Sequence, residues 1–261
     1  MKSGRIFVYF RWLYLLLLLS TLTGCFEWIR AYQTYLQMDE FDQNFAITVD
    51  DEFNVYFKDP ILYSEDFISL ARLQPSSVRK EDGGESWRYL FRKIDDQGVL
   101  VQPEVKFYFD LDFNEEERLI RWSFSPMFLQ IAPAEFLEVS LRSLGGATIN
   151  EENRQIKANM DLVDKISSEL PNIAQVTSQI GKPLSIKDKE KLEQYRYHFL
   201  LDTHDIEEGY EDRALCVMKL SFETETGTLV KMAGRFAGLK ISIDYRKYLE
   251  KQHENLALLI E

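Results

Sequence analysis

The chain has 261 residues, of which 45% are hydrophobic and 13% aromatic, so it can bury a large core and is not of the disordered class. Its net charge is −12, and residues 1–24 contain Lys2, Arg5 and Arg11 but no acid, so a chain starting at Cys25 would carry −12 − 3 = −15. This charge argues against nucleic-acid binding and against adhesion of the whole surface to anionic lipids.

The first 25 residues have the three parts of an export signal in the expected order. Three basic residues come first, and residues 12–19 then form an apolar segment with five consecutive leucines. This segment is shorter than the roughly 20 residues that a membrane span needs. A short apolar stretch with a basic flank is typical of a signal peptide, which we expect to cover residues 1–24.

The segment Leu22, Thr23, Gly24 and Cys25 resembles the lipobox of bacterial lipoproteins. The resemblance implies a diacylglycerol on the Cys25 sulfur, cleavage before Cys25 and acylation of the new amino terminus. Two or three acyl chains would give a stable membrane anchor. The next residue is Phe26 rather than Asp, which favours the outer membrane. We therefore expect a lipid-anchored protein that faces the periplasm.

After the lipobox, the spacing of aromatic and polar residues in 26–42 predicts an amphipathic helix within a tether, residues 25–44. Alternating segments at 45–49 and 53–57 then predict two strands joined by an acidic turn.

The most informative pattern in the body is an internal repeat. Alternating aromatics occur at 87–91 (WRYLF) and again at 195–199 (YRYHF), and a proline stands twelve residues before each, at Pro75 and Pro183. A short helix precedes each proline, and two further strands follow each aromatic strand. The order recurs after about 108 residues and indicates a duplicated element set.

We expect each copy to be a three-stranded antiparallel meander with one apolar face. Trp87, Tyr89 and Phe91 should share one face of the first meander, and Tyr195, Tyr197 and Phe199 one face of the second. Because a single apolar sheet face must be covered, the preceding helices are its natural cover. The predicted fold class is therefore α+β, with two tandem helix-plus-meander units joined by helices.

The second copy resembles the BamE (SmpA/OmlA) family of small outer-membrane lipoproteins. The resemblance lies in a helix ending in Gly181, Lys182 and Pro183, an aromatic strand at 195–199, and a hairpin with Phe222, Gly227 and Leu229. It covers about residues 161–237, with a weaker echo at 64–124. Tandem copies of this fold also occur in secreted β-lactamase-inhibitory proteins. The resemblance implies a binding or scaffold role and supplies no catalytic residue.

Motifs that carry chemistry are scarce in this sequence. His198 alternates with the aromatics and should face away from them, and His204 and His253 lack the spacing of a metal site. If Cys25 is acylated, Cys216 is alone, and its apolar neighbours favour a buried thiol. The acidic runs lack the spacing of a calcium loop. We expect no enzymatic activity, no metal and no cofactor.

One apolar segment has two interpretations. Met127, Phe128 and Leu129 follow Pro126 and the end of the first meander. They could form part of a core between the two units, which is the favoured interpretation, or a surface that binds a partner.

These observations predict a protein-binding or scaffold module in the bacterial envelope, anchored through Cys25 and contacting an envelope protein complex. The alternative is a protein that binds lipid or a small ligand in the groove between the two units. The expected organisation is a signal peptide at 1–24, a tether at 25–44, a first α+β unit at 45–128, a helical connector at 129–160, and a second α+β unit with a C-terminal helix at 161–261.

Overall fold

A computed structural model describes residues 26–249 apart from 146, 151–154, 158–164, 204 and 237–238. The helices are α1 (Phe26–Gln37), α2 (Phe41–Asn44), α3 (Ser64–Ala71), α4 (Pro126–Ile131), α5 (Ala134–Arg142), α6 (Ile173–Ile180) and α7 (Glu211–Ala214), with 3₁₀ turns at Met38–Glu40 and Tyr245–Lys247.

Strands are more abundant than helices in the described backbone. They are β1 (Phe45–Val49), β2 (Phe53–Phe57), β3 (Ser77–Glu81), β4 (Gly84–Ile94), β5 (Lys106–Asn114), β6 (Leu119–Phe124), β7 (Thr148–Asn150), β8 (Gln155–Lys157), β9 (Ser185–Lys189), β10 (Leu192–Leu201), β11 (Leu215–Glu223), β12 (Leu229–Phe236) and β13 (Leu239–Asp244).

In the described part of the chain, nine of these strands form one curled antiparallel half-barrel, in the order β1-β2-β6-β5-β4-β10-β11-β12-β13. β3 and β9 pair with the beginnings of β4 and β10, and β7 pairs with β8 in a separate small sheet. The prediction of two separate helix-plus-meander units, of the BamE-like kind, is therefore wrong. The two meanders are instead the halves of one sheet.

The pairing of β4 with β10 explains this difference. A free meander would leave backbone N–H and C=O groups unpaired along the open edge of β4, and such an edge is unfavourable. Here Arg92 pairs with Leu200, Lys93 with Phe199 and Phe91 with Leu201. Residues 91, 92 and 93 correspond to residues 199, 200 and 201 in the second copy of the repeat, 108 positions later. The pairing runs in the opposite order, so a local twofold axis through the Arg92–Leu200 pair relates the two strands.

The same pairing brings the cores of the two halves into contact. Phe107 on β5 and Phe199 on β10 meet edge to face, with ring centroids 4.9 Å apart, so the core is continuous across the junction. The ammonium of Lys93 donates to the carbonyl oxygens of Ile180 and Lys182, at 2.6 Å each, and so ties β4 to the end of α6.

The predicted apolar faces are confirmed. Trp87, Tyr89 and Phe91 are buried on β4, and Tyr195, Tyr197 and Phe199 are buried on β10. Tyr89 stacks on Phe109, and Phe91 on Phe107, with centroids 4.9 and 5.0 Å apart. Aromatic pairs of this geometry stabilise a sheet beyond the area that they bury.

Helices cover this aromatic face. α4 packs against β5 and α6, while Phe136 of α5 meets the buried ring of Tyr245 edge to face, 5.1 Å away. The chain after β13 forms a 3₁₀ turn at Tyr245–Lys247, in the segment where the second unit is predicted to end in a C-terminal helix. Residues 250–261 of that predicted helix lie outside the described residues.

Candidate functional site

The outward face of α1 is apolar. Helical spacing places the side chains of Trp28, Ile29, Tyr32 and Leu36 on one side, and these are 61%, 48%, 53% and 44% exposed. Phe26 opens the helix and is 57% exposed. Scattered exposed apolar residues are ordinary, but a contiguous set of large ones marks a contact surface.

The inward face of α1 is polar, and it holds the helix to the body through charge. The Arg30 guanidinium donates from Nε to both carboxylate oxygens of Asp66, at 2.8 and 3.1 Å, and from Nη2 to Glu65 at 3.0 Å. The Asp66 side chain is fully buried and also accepts the backbone N–H of Tyr63, at 2.8 Å. Hydrogen bonds of this charged kind are among the strong ones in proteins.

Further polar contacts extend along the same side of α1. Ser69 donates to the Glu27 carboxylate at 3.3 Å, and the hydroxyl of Tyr35 donates to the carbonyl oxygen of Ala147. Gln37 donates to the carbonyl oxygen of Asp59 at 2.9 Å. A surface helix normally turns its apolar stripe to the core. α1 does the opposite, so its apolar stripe is exposed among the described residues.

The sequence predicts α1 as an amphipathic helix but does not reveal which face is outward. Its orientation depends on Arg30 reaching Asp66, 36 residues away. The sequence does contain one indication of the orientation. An arginine within an otherwise aromatic helix needs a carboxylate partner if it faces the protein. The sequence offers too many carboxylates to choose among.

Cys25 and the three lipobox residues before it, Leu22, Thr23 and Gly24, lie outside the described residues. Cys25 nevertheless directly precedes Phe26, the first residue described in α1. At 1.5 Å per residue, Leu36 stands about 15 Å along the helix from Phe26. The whole apolar face therefore lies near the predicted lipid attachment point.

The structure places the other predicted contact residues in the core. Met127, Phe128 and Leu129 lie in α4. Phe128 is buried and meets the rings of Phe107 and Phe124 edge to face, at 5.0 and 5.5 Å. Met127 and Leu129 are partly buried against the same core. Phe128 is therefore unavailable at the surface, whereas Met127 and Leu129 remain partly exposed.

The opposite, outer face of the first half of the sheet carries two pairs of opposite charges that the sequence analysis did not identify. Arg88 binds Asp110 through two hydrogen bonds, at 2.8 and 2.6 Å, and lies 3.8 Å above the ring of Tyr108. Arg121 binds Asp112 on the neighbouring strand. Each pair joins residues that are opposite each other in the register. The pairs stabilise that register and leave each carboxylate bound to an arginine.

Two described residues with side chains that could be reactive, Cys216 and His198, lie on β11 and β10. The Cys216 thiol is fully buried, and burial raises its pKa, so it is a poor nucleophile. His198 lies on the outer face of β10, where burial and the nearby charge of Arg196 lower its pKa. His204 and His253 lie outside the described residues. Across the part of the chain that the structure describes, no three His, Cys, Asp or Glu side chains are grouped to hold a metal ion.

None of the helices in the described ranges is long and apolar enough to span a membrane. Comparison with protein-family models, curated proteins and solved structures finds no significant match to this chain. Nothing in these comparisons identifies a BamE-like lipoprotein. The function must therefore be argued from the chain's own residues.

Proposed function

We propose that this protein is a bacterial envelope lipoprotein, anchored through acyl chains on Cys25 and facing the periplasm, whose body acts by binding another envelope protein. The observation that carries the proposal is the junction at Cys25. A signal-like leader and a lipobox-like segment end there, and the described residues that follow, Phe26–Gln37, form a helix with an outward apolar face. The outer membrane is favoured because Phe26 follows Cys25.

The sheet supports a binding role for the body. β1 ends the strand order, and among the described residues it pairs along one edge, with β2. Its sequence, FAITV, contains neither a charged residue nor proline, which are the usual protections of an open edge. β3 and β9 are rich in such charges. An unprotected edge can accept an extended segment of a partner as an additional strand.

The anchor is tested by the mass of the amino-terminal peptide of protein purified from membranes. We expect a peptide that starts at Cys25 and carries two or three acyl chains. A Cys25→Ala variant should lack this mass and should no longer be found in the membrane fraction. An unmodified Cys25 peptide in the native protein would refute the anchor.

The binding role is tested by crosslinking in intact envelopes. A photoreactive residue at position 48 on β1 should crosslink an outer-membrane barrel protein or an assembly factor of such proteins. The same residue at position 78 on the charged strand β3 is the matched control, and Cys25→Ala should abolish the crosslink. Identical products from positions 48 and 78 would contradict binding through β1.

A further inference from the structure

The outward face of α1 bears no formal charge. The two charged side chains within the helix, Glu27 and Arg30, point inward and bind Ser69 and Asp66. The exposed positions are aromatic or aliphatic, together with the neutral Gln33. Acidic residues resume only after the helix, at Asp39 and Glu40. The uncharged area therefore begins at the residue after Cys25 and ends with the helix.

We propose that this face lies in the interfacial layer of the bilayer that holds the Cys25 anchor, with the axis of α1 close to the membrane plane. The inference rests on the proposed anchor, because acyl chains on Cys25 would hold Phe26 at the lipid surface. Trp28 and Tyr32 are suited to this layer, since their rings combine an apolar body with a polar group. A helix with one apolar and one polar face settles in this layer lengthwise.

Charge favours a lipid surface over a second copy of the chain. Two mature bodies would each bring a net charge of about −15 to an α1–α1 contact, and their repulsion would oppose it. Zwitterionic lipid, which carries no net charge, offers the same apolar contact without that repulsion.

The contact would also orient the body. A lipid anchor alone lets a protein rotate freely, but α1 is fixed to α3 by the Arg30–Asp66 pair. With α1 flat on the lipid, the half-barrel therefore takes one orientation relative to the membrane. α1 acts as a second membrane contact that the acyl chains do not supply.

The test is fluorescence of Trp28 in the full-length, membrane-purified protein reconstituted into phosphatidylcholine vesicles. Brominated acyl chains quench tryptophan only on contact. Trp87 is buried and Trp122 packs against the core. A Trp28→Phe variant gives the emission of these other tryptophans, which is subtracted from the emission of the native protein. We expect the Trp28 emission to be shifted to the blue and largely lost when brominated lipid replaces ordinary lipid.

A double variant, Ile29→Asp with Leu36→Asp, should abolish this quenching while leaving the inward face of α1 intact. Val78→Asp places one such charge on another half-exposed apolar residue, on β3, and its Trp28 emission should be quenched as in the native protein. Unchanged circular dichroism shows that the variants are folded.

Failure of the two proposals can be told apart. If the amino-terminal peptide from the same preparation lacks acyl chains but Trp28 is quenched, the anchor is wrong and the membrane contact of α1 holds. If the acyl chains are present and Trp28 is not quenched, the inference is overturned. A protein of doubled mass with Trp28 shielded from lipid would show instead that a second copy covers the face.

Discussion

Single residues in this sheet owe their surroundings to alternation along each strand. On β10, Tyr195, Tyr197 and Phe199 point into the core, while Arg196 and His198 point to the other face. In the register, His198 stands between Ile94 of β4 and Val217 of β11. These apolar neighbours partly remove its ring from water, and its Nε2 atom has no hydrogen-bond partner among the described residues.

The position of His198 predicts a dependence of stability on pH. Burial lowers its pKa in the folded protein below the ordinary value of 6.5, so near that pH the unfolded chain binds more protons. Stability is then full above about pH 6.5 and falls as the pH drops from there towards the lowered pKa. Nuclear magnetic resonance titration of the ring should give a midpoint below 6.5 for His198.

In urea unfolding between pH 7.5 and 5.5, His198→Gln should show a weaker loss of stability than the native chain. The comparison uses the slope with pH, so any constant effect of the substitution cancels. Equal slopes for the two proteins would refute this account of His198.

At the scale of elements, α1 is the unusual one, because its attachment depends on polar contacts. The guanidinium of Arg30 is 22% exposed and the carboxylate of Asp66 is fully buried. If Arg30 is replaced, Asp66 still accepts the N–H of Tyr63. Its buried carboxylate then has neither water nor the arginine as a charged partner. A buried acceptor stripped of a charged partner is costly.

Arg30→Met should therefore lower the free energy of unfolding by about 1.5–3 kcal/mol, the usual contribution of a hydrogen bond to a charged group. Hydrogen exchange should accelerate in α1 before it does so in β4 or β10. Arg79→Met on β3 is the control, because its pairing with Glu81 is solvent-exposed, and it should change stability by less than about 0.5 kcal/mol. Equal effects of the two changes would contradict the role given to Arg30.

Local elements could be predicted from the sequence, and long-range pairing could not. The alternation of aromatics predicts the faces of β4 and β10, because side-chain direction depends only on a two-residue period. Lys93 pairs with Phe199, 106 residues away, because the unpaired backbone groups at the edge of β4 meet those at the edge of β10. The orientation of α1 depends likewise on one distant carboxylate, Asp66.

At the scale of the whole molecule, the two meanders share one sheet and one core. β4 and β10 are joined through the backbone, and Phe107 and Phe199 are in contact across the junction. Neither half can unfold without exposing the other's edge and apolar face. Separate units joined by helices would not have this coupling.

The whole chain should therefore unfold in one cooperative step. In a Cys25→Ala variant, Cys216 is the remaining cysteine and lies buried in the second half of the sheet, whereas Trp87 lies in the first half. Trp fluorescence and the accessibility of the Cys216 thiol should follow the same urea curve. Two curves separated along the urea axis would show that the halves unfold independently.

Two contacts, the acyl chains on Cys25 and the apolar face of α1, are proposed to hold this chain at a membrane. The most direct measurement places a photoreactive residue at position 32 on that face and illuminates intact cells. We expect a phospholipid adduct on the peptide that contains position 32, and none when the same residue stands at position 78 on β3. An adduct with protein at position 32, without lipid, would contradict the claim.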